Sequence, residues 1–196
     1  MITQFIIKPL TMALTSSTML PLGTKAPEFV LPDSISGKLL SLEELKGEKG
    51  TVIMFICNHC PYVNHVNEEI VRLANDYRVS GFGFIAIMSN NVEDYPEDHP
   101  KLMMKTAEKY HYPFPYLYDQ TQEVARAYDA ACTPDFYLFD SELKLLYRGQ
   151  LDESRPGKGI PTNGRDLREA LDSVLNNRKV PQPQKPGMGC GIKWKK

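Results

Sequence analysis

The stretch Ile53-Met54-Phe55-Ile56-Cys57-Asn58-His59-Cys60-Pro61-Tyr62 constrains this chain more than any other. Its continuous apolar run is what a strand covered on both faces requires. The run ends in two cysteines separated by two residues, and a segment with helical spacing follows at once. Val63, Val66, Ile70, Leu73, Ala74 and Tyr77 recur on one face, and Pro61 falls in the first turn, where a missing N–H costs least. The spacing therefore predicts strand, C-x-x-C turn and helix in succession, with Cys57 at or just before the helix N-terminus. Backbone N–H groups and the positive end of the helix dipole stabilise a thiolate there, and Cys60 can close a disulfide once Cys57 has reacted. The chemistry indicated is thiol–disulfide exchange.

The rest of the chain is read around that stretch. Residues 26–31 and 38–40 flank a run of turn formers, which predicts a hairpin. Ser41-Leu42-Glu43-Glu44 matches a capping box. Buried strands are predicted over 51–56 and 81–88, a polar loop over 89–100, a helix over 101–110 and a short strand over 114–118. A helix capped by Thr121 comes next, then strands 135–140 and 143–148 about a tight turn. Leu167, Ala170, Leu171, Val174 and Leu175 mark a last helix. This order describes an α/β chain: a mixed central sheet with helices on both faces, an N-terminal β-hairpin extension, and a site at the carboxyl ends of the parallel strands.

At 196 residues the chain can bury one core. The expected organisation is a flexible N-terminal extension over 1–21, one domain over 22–180, and a Pro-rich tail over 181–196 carrying Cys190. A formal net charge of -1, with Lys and Arg scattered except at the end, excludes general attraction to nucleic acid or an anionic membrane. No stretch is apolar for long enough to span a bilayer. Four cysteines are too few for a disulfide-built scaffold of this length. Lys8-Pro9 interrupts the apolar opening, and no basic region precedes it, so the cytoplasm is expected, with the periplasm as the alternative.

His59, between the cysteines, is expected to stabilise the Cys57 thiolate and so make the couple more oxidising. Cys132 and Cys190 are candidates for additional redox thiols, Cys190 because packing alone hardly requires cysteine in a flexible, glycine-flanked tail. Glu28, Asp119 and Asp135 are candidate proton acceptors near Cys60. The charged loop 93–99 reads as solvated. Cys57 and Cys60 with a histidine, His59 or His65, form the alternative of a metal site. The redox reading takes precedence because zinc usually needs four ligands, and it calls for no cofactor and no metal.

Cys57-Asn58-His59-Cys60 between a buried strand and an amphipathic helix, with Thr133-Pro134 entering a later strand, resembles the thioredoxin superfamily, and within it the bacterial peroxiredoxin-like redoxins. The similarity runs from about residue 22 to 180, and the ending Gly189-Cys190-Gly191-Ile192-Lys193-Trp194-Lys195 is similar to a recurrent one of that group. The resemblance implies a thioredoxin-like fold and a cis peptide bond before Pro134, facing the C-x-x-C so that the Thr133 backbone can pair with a bound thiol substrate. It implies protein or small-molecule disulfides and a thiol reductant as partners, and leaves the oligomeric state open. A thiol-dependent peroxidase is the alternative. Against it, the upstream positions where peroxiredoxins carry a proline and a hydroxyl are here Gly50 and Met54, or Ile53 and Cys57 when Cys60 is taken as the reference.

Overall fold

The computed structural model describes residues 14–196. The reading of the opening apolar run therefore lies outside the described residues. The central sheet has five strands in the order β6-β5-β4-β8-β9: β4 is Gly50–Phe55, β5 Phe82–Met88, β6 Tyr116–Tyr118, β8 Asp135–Asp140 and β9 Leu145–Gly149. The sheet is mixed, because β4 runs parallel to β5 and antiparallel to β8. Every residue of β4 is buried, as its unbroken apolar sequence requires of a central strand.

Alternation along β4 divides the core in two. Val52 and Met54 face the cluster that holds Val63, Ile70 and Leu73 of α2 (Pro61–Arg78), Met103 of α3 (Pro100–Tyr110), and Leu167 and Leu171 of α5 (Arg165–Leu175). Ile53 and Phe55 face the other cluster, with Leu42 of α1 (Leu42–Leu45), Ala125 of α4 (Glu123–Ala127) and the side chains of Phe29 and Leu31. Helices thus cover both faces. The expected hairpin is present as β2 (Val30–Pro32) against β3 (Leu39–Ser41). The capping box of α1 is closed: Ser41 Oγ accepts from Glu44 N–H at 3.2 Å and the Glu44 carboxylate accepts from Ser41 N–H at 2.8 Å.

Three local expectations change. Helix α4 starts from Gln122 in the left-handed region, not from a Thr121 cap, because the Asp119 carboxylate accepts from Ala125 N–H at 2.9 Å and satisfies the first turn itself. Residues 14–21 and 181–196 do not behave as loose ends. β1 (Leu14–Ser16), β10 (Met188–Gly191) and β7 (Cys132–Thr133) form a second, antiparallel sheet in the order β1-β10-β7. The prolines at 181, 183 and 186 keep the approach irregular, as expected, but the chain after them finds an edge to pair with. No helix among the described residues is long and apolar enough to cross a membrane.

Candidate active site

Cys57 sits just beyond the carboxyl end of β4, whose register continues as Ile56 N–H donates to Ile87 O at 3.0 Å. Helix α2 begins at Pro61 with Cys60 as its N-cap, so the helix terminus lies three residues later than a thiolate at Cys57 would need. The Val63 N–H therefore reaches the Cys60 sulfur. Both cysteines are free thiols and almost fully buried, at 1% and 0% exposure, while Asn58 and His59 between them are partly exposed.

The peptide bond before Pro134 is cis, as the resemblance implies. Thr133 faces the turn with both its polar oxygens: its Oγ1 lies 3.3 Å from Cys57 Sγ, and its carbonyl accepts from Cys60 Sγ at 3.2 Å. The hydroxyl missing upstream of Cys57 in the sequence is thus provided in space by β7. Cys60 also touches a third sulfur, Cys190 Sγ, at 2.7 Å. Cys190 is opposite Thr133 in the β10–β7 register, and the approach requires Gly189, where a Cβ would stand 2.0 Å from the Thr133 carbonyl oxygen.

These contacts set the charge. Hydrogen bonds from Cys190 and Cys57, with the Val63 N–H, hold the Cys60 thiol well below its ordinary range. Burial pushes the Cys57 thiol up, and the neighbouring Cys60 and Asp98 add to that. Cys60, at the helix terminus, is the sulfur these contacts favour for negative charge, and when it carries the proton it donates it to the Thr133 carbonyl.

Asp98, read from the sequence as part of a solvated loop, is fully buried under the C-x-x-C turn. Its Oδ1 accepts from the backbone N–H groups of Asn58 (2.8 Å) and His59 (3.3 Å), and its Oδ2 lies 2.7 Å from His59 Nδ1 and accepts from Asn90 Nδ2 at 2.7 Å. The hydrogen bond to Asp98 raises the His59 pKa against the opposing effect of burial. His59 stacks on Tyr95 at 5.6 Å, and its Nε2 is buried without a hydrogen-bond partner among the described residues. The local sequence signal for Asp98 is faint: an acidic residue in a Pro-bounded loop has nothing to mark it as buried.

The other candidates fall elsewhere. Cys132 leaves β7 on the side opposite Thr133, donating to Pro134 O at 3.8 Å, and burial pushes its thiol up. Asp135 is buried beneath it, held by Ser17 Oγ at 2.7 Å and the Tyr137 hydroxyl at 3.1 Å. Asp119 caps α4, and Glu28 is exposed. His65 Nε2 lies 3.2 Å from Thr162 Oγ1. Among the described residues, the grouping with metal-ligand spacing is Cys57, His59 and Asp98, a carboxylate in place of the expected second cysteine.

A model of the AhpC/TSA family matches residues 22–148. Thiol-disulfide oxidoreductase ResA of Geobacillus kaustophilus is 30% identical over 140 residues, 70% of this chain and 75% of that protein. The crystal structure of an uncharacterised conserved protein from the same species is 60% identical, covers 95% of this chain and 98% of its own, and superposes with a TM-score of 0.93. A thiol:disulfide interchange protein of the thioredoxin family from Chlorobium tepidum shares the fold, with a TM-score of 0.60 at 18% identity over 78% of this chain and 97% of its own.

Proposed function

The chain belongs to the AhpC/TSA family, and from that premise we propose that it is a thiol–disulfide oxidoreductase in which Cys57 attacks and Cys60 resolves. The observation that carries the reading is the convergence of both C-x-x-C sulfurs on Thr133, ahead of a cis Pro134, at the carboxyl end of β4. The ResA relative at 30% identity is named for the same chemistry.

In the reductive direction, the pair reacts in the form that carries the proton on Cys60, directed at the Thr133 carbonyl, and the charge on Cys57, beside the Thr133 hydroxyl. Cys57 sulfur attacks one sulfur of a substrate disulfide, forming a mixed disulfide and releasing the first substrate thiolate, which takes up the proton now on Cys60. The Cys60 thiolate then attacks Cys57 Sγ, the Cys57–substrate bond breaks, and the second substrate thiolate leaves. Two electrons have passed to the substrate, and an external dithiol restores the pair. Thr133 Oγ1 steadies the Cys57 sulfur through the cycle. Cationic His59, fixed by Asp98, favours the charged, reduced state. The cytoplasmic location expected from the sequence belongs to the same proposal.

Insulin disulfide reduction in the presence of dithiothreitol tests the activity, and a Cys60→Ser variant should hold Cys57 in mixed disulfide with substrate. Loss of turnover in Cys57→Ser with retention in Cys132→Ser is the expected pattern. The Thr133 hydroxyl on Cys57 favours peroxide reduction as a second reading. Hydrogen-peroxide turnover that exceeds insulin reduction and disappears in Cys57→Ser would make it the better account. Stoichiometric metal after purification without chelator would favour the Cys57, His59 and Asp98 grouping instead.

A further inference from the structure

The C-terminal tail brings Cys190 against Cys60, and the manner of its attachment makes that contact specific. β10 is held on both edges, by Leu14–Ser16 on one side and Cys132–Thr133 on the other. Beyond it Ile192 is buried, and its N–H donates to Ala131 O at 3.0 Å. Lys193 N–H donates to Asn90 Oδ1 at 2.8 Å, and its carbonyl accepts from Asn91 N–H and Gln122 Nε2, both at 2.8 Å. The Arg126 guanidinium lies over the Trp194 ring at 4.4 Å. A strand anchored this firmly before and after position 190 delivers that side chain to one place, against Cys60 Sγ.

Cys60 thus interacts with both of the other sulfurs, Cys57 and Cys190. Resting on the exchange activity proposed above, we infer that Cys190 is a third redox thiol, which takes over Cys60 from the Cys57–Cys60 disulfide. Cys190 sulfur attacks Cys60 Sγ, the Cys57–Cys60 bond breaks, and the Cys190 proton passes to the departing Cys57 sulfur. One disulfide replaces another with no net redox change, so no further oxidant is required. The step returns Cys57 to its reduced form and leaves Cys60–Cys190 for the external dithiol to reduce, after which Cys60 is free to resolve another mixed disulfide. It also ties the C-terminal strand to the start of α2.

The test is disulfide mapping of the full chain. The reduced protein is equilibrated in oxidised and reduced glutathione, blocked with N-ethylmaleimide, digested without reduction and read by mass spectrometry, for the wild type, Cys57→Ser and Cys190→Ser. The inference expects a Cys60–Cys190 linkage in the wild type. It expects the same linkage as the single internal disulfide of Cys57→Ser, and Cys57–Cys60 alone in Cys190→Ser. Wild type that reduces insulin and forms Cys57–Cys60, with Cys190 fully blocked both there and in Cys57→Ser, overturns the inference and leaves the exchange activity standing. Wild type that forms Cys60–Cys190 without reducing insulin overturns the proposed function and leaves the pairing standing.

Discussion

Asp98→Asn tests whether the buried carboxylate organises the site. The amide can keep an oxygen on the Asn58 and His59 N–H groups that Oδ1 now serves. Its NH₂ must then face the groups at Oδ2, His59 Nδ1 and Asn90 Nδ2. His59 can answer by losing its Nδ1 proton and accepting. Asn90 cannot turn over without loss, because its Oδ1 is held by Lys193 N–H. One buried donor is left without an acceptor, at about 1–3 kcal/mol, and the pair with cationic His59 is lost. The expected destabilisation is about 3 kcal/mol, at the lower end of what breaking a buried ion pair costs because His59 is partly exposed.

The pH dependence has a definite sign. A histidine whose folded pKa is raised contributes stability that is complete below its unfolded value of about 6.5 and is lost as pH rises through the folded pKa. The gap between wild type and Asp98→Asn should therefore be larger at pH 5.5 than at pH 9, measured by urea unfolding of the reduced protein. Since Asp98 also helps hold the Cys57 proton, the variant's thiols should react faster with a disulfide reagent at fixed pH. A gap below about 1 kcal/mol at both pH values, with unchanged thiol reactivity, would refute this account of Asp98.

Two further outcomes follow from the same contacts. His59→Ala should make the couple more reducing by about 20–30 mV in glutathione redox buffers, as the reduced state loses a cation; an unchanged or more oxidising midpoint would leave His59 without electrostatic influence. Burial raises Asp135 from 3.8 to about 7, so wild-type stability should fall by up to about 4 kcal/mol as pH rises from 4 to 7, and Asp135→Asn should flatten that slope in urea unfolding; an equal slope in both would show that the carboxylate is not the cause.

The central architecture was legible because its signals are local. An unbroken apolar run dictates a strand covered on both sides, helical spacing dictates one face of α2, and Ser41 with Glu44 dictates the start of α1, whatever the rest of the chain does. The same locality made Cys57 and Cys60 conspicuous. What escaped depends on segments distant in sequence. Asp98 is one acidic residue in a polar loop until that loop folds beneath the C-x-x-C turn, where four donors converge on it. Cys190 follows prolines that forbid regular structure, yet its strand is made by pairing with β7 and β1, whose hydrogen bonds no local pattern announces. Proximity to a helix N-terminus was read for Cys57, but the cap of α2 is Cys60, and it is this sulfur that the Val63 N–H and Cys190 reach. Local pattern determines which elements form, whereas the hydrogen bonds and charges of this site are set by contacts that exist only once distant segments have packed.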